Sequence, residues 1–238
     1  MAEEPSAKPL RGETSDQTNE LDDVQVPRHK LDYTKYLKKV DLHGKEKLDV
    51  VCTSNPYEAD KMITRIRKRV GGLHPQYISV DVEYTREDKP PNRATVLQPK
   101  SLQPFLKDDK LYTFAGFSIE GDKQKLQKSG LEINSDKYTD IQRKWRVPFK
   151  EIEGFHSLAD VAGSMIHPFY NNMKKKIDRE EDHKLLGISP LPDYLIKYAT
   201  IDAYATYESW KRIENIREGL ERAKEAEKNY DNPYYGYE

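Results

Sequence analysis

The residues best suited to chemistry are Asp81 and Glu83, in Asp81-Val82-Glu83 at the end of the apolar run Tyr77-Ile78-Ser79-Val80. Alternate residues of a strand share a face, so both carboxylates point one way with Val82 behind them. Side by side they repel each other and are costly to bury unless a cation neutralises them. All-oxygen ligation of this kind suits hard divalent cations. A solvated strand end also accounts for the pair, so the metal reading depends on further carboxylates converging on it. Two are available. Asp122 follows the apolar run Leu111–Ile119 at a helix start, where the helix dipole favours a carboxylate in a capping role as well. Asp202 lies four residues after Tyr198 in a helical stretch, so the two share a face. Ala199, Ala203 and Tyr204 flank Asp202 near an apolar stripe, where a bare carboxylate is expensive unless paired or metal-bound. A structural hydrogen bond is the other reading of the Tyr198 and Asp202 pair.

The elements that must position these groups follow from pattern. Residues 1–30 are rich in Glu, Asp, Ser, Thr and Pro and read as a disordered tail. Tyr36–Val40 and Leu48–Thr53 are β-rich runs around a His43-Gly44-Lys45 turn. Asn55, Pro56 and Glu58 open a helix with a cap, a first-turn proline and a capping-box partner. It runs through Met62, Ile63 and Ile66 and stops at Gly71-Gly72. Its Lys61, Arg65, Arg67, Lys68 and Arg69 form a basic cluster that fits a solvated face or a phosphate contact.

A strand over Tyr77–Tyr84, a turn at Asp88–Asn92 and an antiparallel strand at Ala94–Gln98 come next. Ser101–Leu106 reads as a short helix and Leu111–Ile119 as a central strand buried on both faces. A helix follows over Lys123–Lys128, a strand over Tyr138–Gln142 and an amphipathic helix over Ser157–Ile166. Pro168–Pro192 is a polar connection. From Asp193 a long helix carries Ile196, Ala199, Ala203, Tyr207, Trp210, Ile213, Ile216 and Leu220 at spacings of three and four, one buried stripe. Beyond Leu220 it turns Lys- and Glu-rich and projects into solvent, and Asn229–Glu238 is a tyrosine-rich tail.

Composition narrows the class. With 238 residues, the chain fits one globular domain with tails. The formal net charge of -1 neither attracts nor excludes nucleic acid. Charged residues reach 34% and mean hydropathy is -0.94, which points to long solvated segments. No apolar stretch reaches membrane-spanning length and no apolar signal core precedes the domain, so a soluble intracellular protein of nucleus or cytoplasm is expected, with no membrane partner. Cys52 is the lone cysteine, which excludes an intrachain disulfide and a cysteine-based zinc site.

Three motifs stand in a telling order: the strand Asp-x-Glu of Asp81 and Glu83; Gly121-Asp122-Lys123-Gln124-Lys125-Leu126 after an apolar strand; and Lys197-Tyr198-Ala199-Thr200-Ile201-Asp202-Ala203-Tyr204 on a helix. Together they resemble the three exonuclease motifs of the DnaQ-like (DEDDy) 3′–5′ exonucleases, and most of all the Werner-syndrome-type branch, with ribonuclease D a more distant cousin. The resemblance spans Tyr36 to Ile213, and Ser157–Ala162 is similar to that family's short helix between the second and third motifs. It implies an α/β fold with a ribonuclease H-like mixed sheet and helices on both faces, an exonuclease domain over residues 31–216, and a charged helix extension with a tail over 217–238. It implies that Asp81, Glu83, Asp122 and Asp202 hold two divalent metal ions, Mg²⁺ or Mn²⁺. Asp81 would bridge both ions, Glu83 and Asp202 would hold the nucleophile-side ion, and Asp122 would lie nearer the other through water. Tyr198 would orient the attacking water, and position 197, where the histidine subclass has its base, carries Lys197. The partner implied is a nucleic acid with a free 3′ end, DNA or RNA; Tyr84, Phe117 and Tyr204 are candidates to stack on its last base or to pack in the core.

The chain departs from the family pattern in two places. Only Pro99–Lys110 separates Ala94–Gln98 from the central strand, which leaves no room for the family's third antiparallel strand, so the sheet is expected to lack one edge strand. Pro99–Lys110 would then cross the end of the sheet, and the lost packing opens an alternative reading, a catalytically impaired nucleic-acid-binding or scaffold protein. The family's tryptophan before the third motif is also missing, with Leu185, Leu186 and Ile188 available for its space.

Overall fold

An antiparallel hairpin opens the described part of the chain. The computed structural model describes residues 33–44, 46–69, 76–83, 99–131, 133, 137–148, 150, 154–173, 182, 185–186 and 189–230. The expected N-terminal tail, the Gly71-Gly72 stop, the turn at 88–92, the strand at 94–98 and the C-terminal tail beyond 230 lie outside those residues. Strands β1 (Thr34–Asp41) and β2 (Lys47–Thr53) pair with Thr34 opposite Thr53 and Val40 opposite Leu48. The register slips between Leu37 and Val40, where Lys39 takes a φ of 57°. Gly44, at a φ of 84°, makes the turn that glycine adopts without strain.

Helix α1 (Pro56–Lys68) starts as its sequence predicts. Asn55 Oδ1 accepts from the backbone N–H groups of Tyr57 and Glu58, at 2.9 and 3.3 Å. The expected capping box is not completed: Glu58 turns to Lys61 Nζ at 2.7 Å, and the Asn55 N–H donates to Thr53 Oγ1 instead. Strand β3 (Gln76–Ser79), the five-residue helix α2 (Leu102–Leu106) and strand β4 (Tyr112–Gly116) follow. Then come helix α3 (Glu120–Lys128), strand β5 (Tyr138–Asp140), helix α4 (Leu158–Met165) and the 38-residue helix α5 (Asp193–Tyr230). Single 3₁₀ turns at Ile141–Arg143 and Pro168–Asn172 link them.

Strands β3, β4 and β5 form a parallel sheet in that order, with β4 central. Its side chains alternate between two apolar layers. Tyr112 and Phe114 of β4, Ile78 and Val80 at β3, and Tyr138 of β5 face Ile63 of α1 and Phe105 and Leu106 of α2. Ala115 points the other way, into Leu158 and Ala162 of α4, Tyr170, and Tyr204, Ala205 and Trp210 of α5. This is the expected α/β arrangement with helices on both faces, and the near-continuous apolar run of β4 is the signature of a strand covered on both sides.

Between Pro99 and Leu111 the described chain contains α2 and no strand. The expectation that this stretch crosses the sheet end needs correcting. Phe105 meets Phe114 edge-on at 5.8 Å and the Tyr138 hydroxyl donates to the Leu106 carbonyl at 3.1 Å, so α2 lies on the sheet face. The reason is a docking point on α1: Asp60 accepts hydrogen bonds from both the backbone and the hydroxyl of Ser101.

Helix α4 begins with a reciprocal cap between Ser157 and Asp160. The stripe of α5 is shorter than its spacing suggests. Ile196, Trp210 and Ile213 are buried, but Ile216 and Leu220 are 41% and 59% exposed, and residues 221–228 are all exposed. Sheet and α4 cover only the first half of a helix about 57 Å long at 1.5 Å per residue.

Phe114 is stacked on Tyr138 at 4.8 Å and touches Phe105 and Tyr112 as well. Phe114→Ala is expected to cost about 3–5 kcal/mol, against roughly 1 kcal/mol for the cap variant Ser157→Ala. Urea denaturation of both variants reads the difference.

Candidate metal centre

A parallel sheet gathers the carboxyl ends of its strands on one side, and open α/β sheets bind their ligands there. The last ladder bond of β3 runs from the Val80 N–H to the Ala115 carbonyl, at 2.8 Å. After it β4 turns away. A Cβ on Gly116 would stand 2.5 Å from Ile119 Cδ1, so only glycine lets that side chain fold back over the strand end. Ser118 takes a φ of 54° and its N–H donates to Asp140 Oδ1 at 3.0 Å, which ties the turn to β5. Residues 81–83 therefore leave the ladder, and the strand expected to reach Tyr84 ends at Ser79. Asp81 and Glu83 sit just past the strand rather than within it.

They nonetheless meet Asp202. One carboxylate oxygen from each of Asp81, Glu83 and Asp202 lies within 4.8 Å of the others. Asp81 is exposed, Glu83 half-buried and Asp202 only 4% exposed. Tyr198, one turn before Asp202 on α5, donates its hydroxyl hydrogen bond to the Asp202 carboxylate. Burial first, then the charges of Asp202, Glu83 and Asp81, push the Tyr198 phenol far above its ordinary value of 10.0. The phenol therefore stays protonated at neutral pH, a donor that can orient a neighbour and cannot act as a base.

Asp122 lies at the same end of the sheet, in the first turn of α3, and is 9% exposed. That helix begins at Glu120, three residues earlier than its sequence suggests, which places Asp122 within the turn where the dipole favours a carboxylate. Its oxygens do not belong to the group of three. The three that do are hard oxygen donors at a spacing one divalent cation can bridge, so the donor set fits Mg²⁺ or Mn²⁺.

Other candidates fall elsewhere. Tyr204 is buried in the apolar layer and its hydroxyl donates to Glu46, so it packs in the core and does not face a ligand. Phe117 packs against the same layer, and Tyr84 lies outside the described residues. The cations of α1 are exposed, with Lys61 held over the Tyr57 ring at 4.3 Å and paired to Glu58. Lys197 is exposed beside Tyr198. Leu185 and Leu186 are half-buried, and Ile188 lies outside the described residues. One residue behind the site gave no motif signal: Ser79 Oγ donates to the Ala203 carbonyl, next to Asp202, at 2.9 Å. Its place on the same side as Tyr77 and Asp81 was the only hint in the sequence.

No known family profile matches the chain, and no curated protein matches it. Among solved structures, the chain is similar to the crystal structure of the Nibbler EXO domain of Aedes aegypti, at 16% identity and a TM-score of 0.48, over 68% of this chain and 86% of that one. No helix among the described residues is long and apolar enough to cross a membrane.

Two outcomes follow from the site's charges. In metal-free buffer Asp202→Asn is expected to keep or raise the melting temperature, because it removes one of three mutually repelling charges while still accepting from Tyr198. Mg²⁺ at a hundredfold excess over its Kd should stabilise the wild type by about 2.7 kcal/mol and leave Asp202→Asn unmoved; melts with and without chelator measure both. The second concerns alkali. Burial raises the phenols of Tyr138, Tyr198 and Tyr204, and carries Tyr170 to about 12, against an ordinary value of 10.0. Raised values mean the folded chain holds protons that the unfolded chain has released above pH 10. Stability contributed by these groups is thus complete below pH 10 and lost as pH rises towards the folded values. Melting temperatures between pH 8 and 11 should stay level and then drop, with these four phenols ionising only as the fold is lost.

Proposed function

We propose that this chain is a DnaQ-like, Werner-type 3′–5′ exonuclease that releases nucleotides from the 3′ end of a nucleic acid, with the domain over residues 31–216. The observation that carries the reading is the convergence of Asp81, Glu83 and Asp202 beside the Tyr198 hydroxyl, from motifs far apart in the chain and in the order that the exonuclease motifs take.

Divalent ions bound there would lower the pKa of a water and stabilise the departing 3′ oxygen of an in-line phosphodiester displacement. Asp81, Glu83 and Asp202 would hold the nucleophile-side ion, with Asp81 shared, and Asp122 would reach the second through water. Tyr198 is buried enough to keep its proton, so its hydroxyl would orient the attacking water without taking a proton from it.

The second reading, an impaired nucleic-acid-binding or scaffold protein, draws on the absence of a strand between Pro99 and Leu111 among the described residues. The packing of α2 weighs against it, since Phe105 and Leu106 join the apolar layer on the sheet face.

Digestion of 5′-labelled single-stranded DNA, recessed-duplex DNA and RNA with Mg²⁺ or Mn²⁺ decides between them. The expected result is a ladder shortening from the 3′ end, lost with chelator, with Asp81→Ala and with Asp202→Ala, and reduced about 10²-fold in Tyr198→Phe through misplacement of the attacking water. A folded wild type that leaves every substrate intact, as those variants do, overturns the exonuclease reading in favour of the second.

A further inference from the structure

Two residues of one β3 face, and a third just past the strand, meet α5 in sequence. The Tyr77 ring packs edge-on against Trp210 at 4.6 Å. Ser79 Oγ donates to the Ala203 carbonyl at 2.9 Å. Asp81, two residues further and past the strand end, enters the cluster with Asp202 and Tyr198. As the strand index rises from 77 to 81 the helix index falls from 210 to 198, so α5 crosses the sheet antiparallel to β3.

These contacts differ in kind. A ring against a ring tolerates sliding, because dispersion attraction varies little with small displacements along the surface. The three carboxylates repel until a cation joins them, so they push the two elements apart. The Ser79 bond is directional, since an O–H must point at a carbonyl lone pair within a narrow range of distance and angle. It is placed between the apolar contact and the charged one. It spans 124 residues of sequence and ends on the residue beside Asp202.

Resting on the metal reading above, we propose that Ser79 is a positioning residue for the metal centre: its hydrogen bond to the Ala203 carbonyl sets the register of α5 on β3 and so holds Asp202 within ligating distance of Asp81 and Glu83. Groups that orient metal ligands from behind typically carry 10–100-fold in metal affinity. The Ala203 carbonyl lies inside a helix and keeps its intrahelical partner when Ser79 is shortened. Loss of the bond therefore frees the register without leaving the carbonyl unsatisfied.

The experiment is Mn²⁺ titration of the full chain, followed by electron paramagnetic resonance of free Mn²⁺ and, separately, by melting temperature. Wild type, Asp202→Asn, Ser79→Ala, Ser79→Thr and the distant core variant Ile63→Val are compared. Ile63 lies in the opposite apolar layer and controls for general destabilisation. The expected result is a roughly 10-fold or greater loss of Mn²⁺ affinity in Ser79→Ala, recovered in Ser79→Thr and absent in Ile63→Val. If Ser79→Ala does not fold, Ser79→Cys, of similar volume and a weaker donor, takes its place with the same expectation. Wild-type affinity in Ser79→Ala overturns the proposal and leaves the metal reading intact. So does an equal loss in Ile63→Val, or a Ser79→Thr as weak as Ser79→Ala. A wild type that binds Mn²⁺ no better than Asp202→Asn overturns the metal reading, and the role of Ser79 with it.

Discussion

Mutual repulsion among Asp81, Glu83 and Asp202 is the constraint on which the rest of this structure turns. Three carboxylates with oxygens inside 4.8 Å do not gather of their own accord. Asp81 and Glu83 arrive because β3 loses its ladder after Val80, and Asp202 arrives because α5 is fastened across the sheet. The opposing attraction is supplied away from the charges, where Trp210 and Ala205 are buried with Ala115 and α4. Burial of that apolar surface drives the fold, and the carboxylates are carried along.

The sheet that transmits this load has only three described strands, and it is held by being filled from both sides. Tyr112, Phe114 and Tyr138 form an aromatic layer with Phe105 of α2, while Ala115 leaves room for the larger side chains of α4 and α5 opposite. The alternation of large and small residues along β4 lets α5 come close on one face and a bulky cluster fill the other. The path through α2 is short, yet it carries Phe105 and Leu106 into the aromatic layer and is pinned to α1 through Asp60 and Ser101. No strand lies between Pro99 and Leu111 among the described residues, and both layers are in place without one.

Tyrosine serves two different purposes within two turns of α5. Tyr198 faces three carboxylates and keeps its proton partly because they are there. Tyr204, on another side of the helix, is buried against Tyr170 and donates to Glu46, which fastens the hairpin turn to the helical layer, where His43 also meets the Tyr170 hydroxyl at 3.0 Å. The residue type is the same, and the side of the helix it occupies decides whether it is part of the site or of the core.

Much was legible in the chain itself. The cap at Asn55, the two-sided apolar run of β4 and the start of α5 at Asp193 follow from local chemistry, and local chemistry is written residue by residue. The order of the carboxylate motifs was equally plain. What the tertiary structure alone decided is where each element stops and which groups face each other. β3 ends at Ser79 because β4 turns away, α3 begins at Glu120, and the stripe of α5 is uncovered beyond Ile213 because the sheet and α4 end there. Asp81, Glu83 and Asp202 form one group without Asp122, and Ser79 reaches Ala203 across 124 residues of sequence. Periodicity shows which residues share a face, but the distance between faces is set by packing, and packing depends on residues far away in the chain.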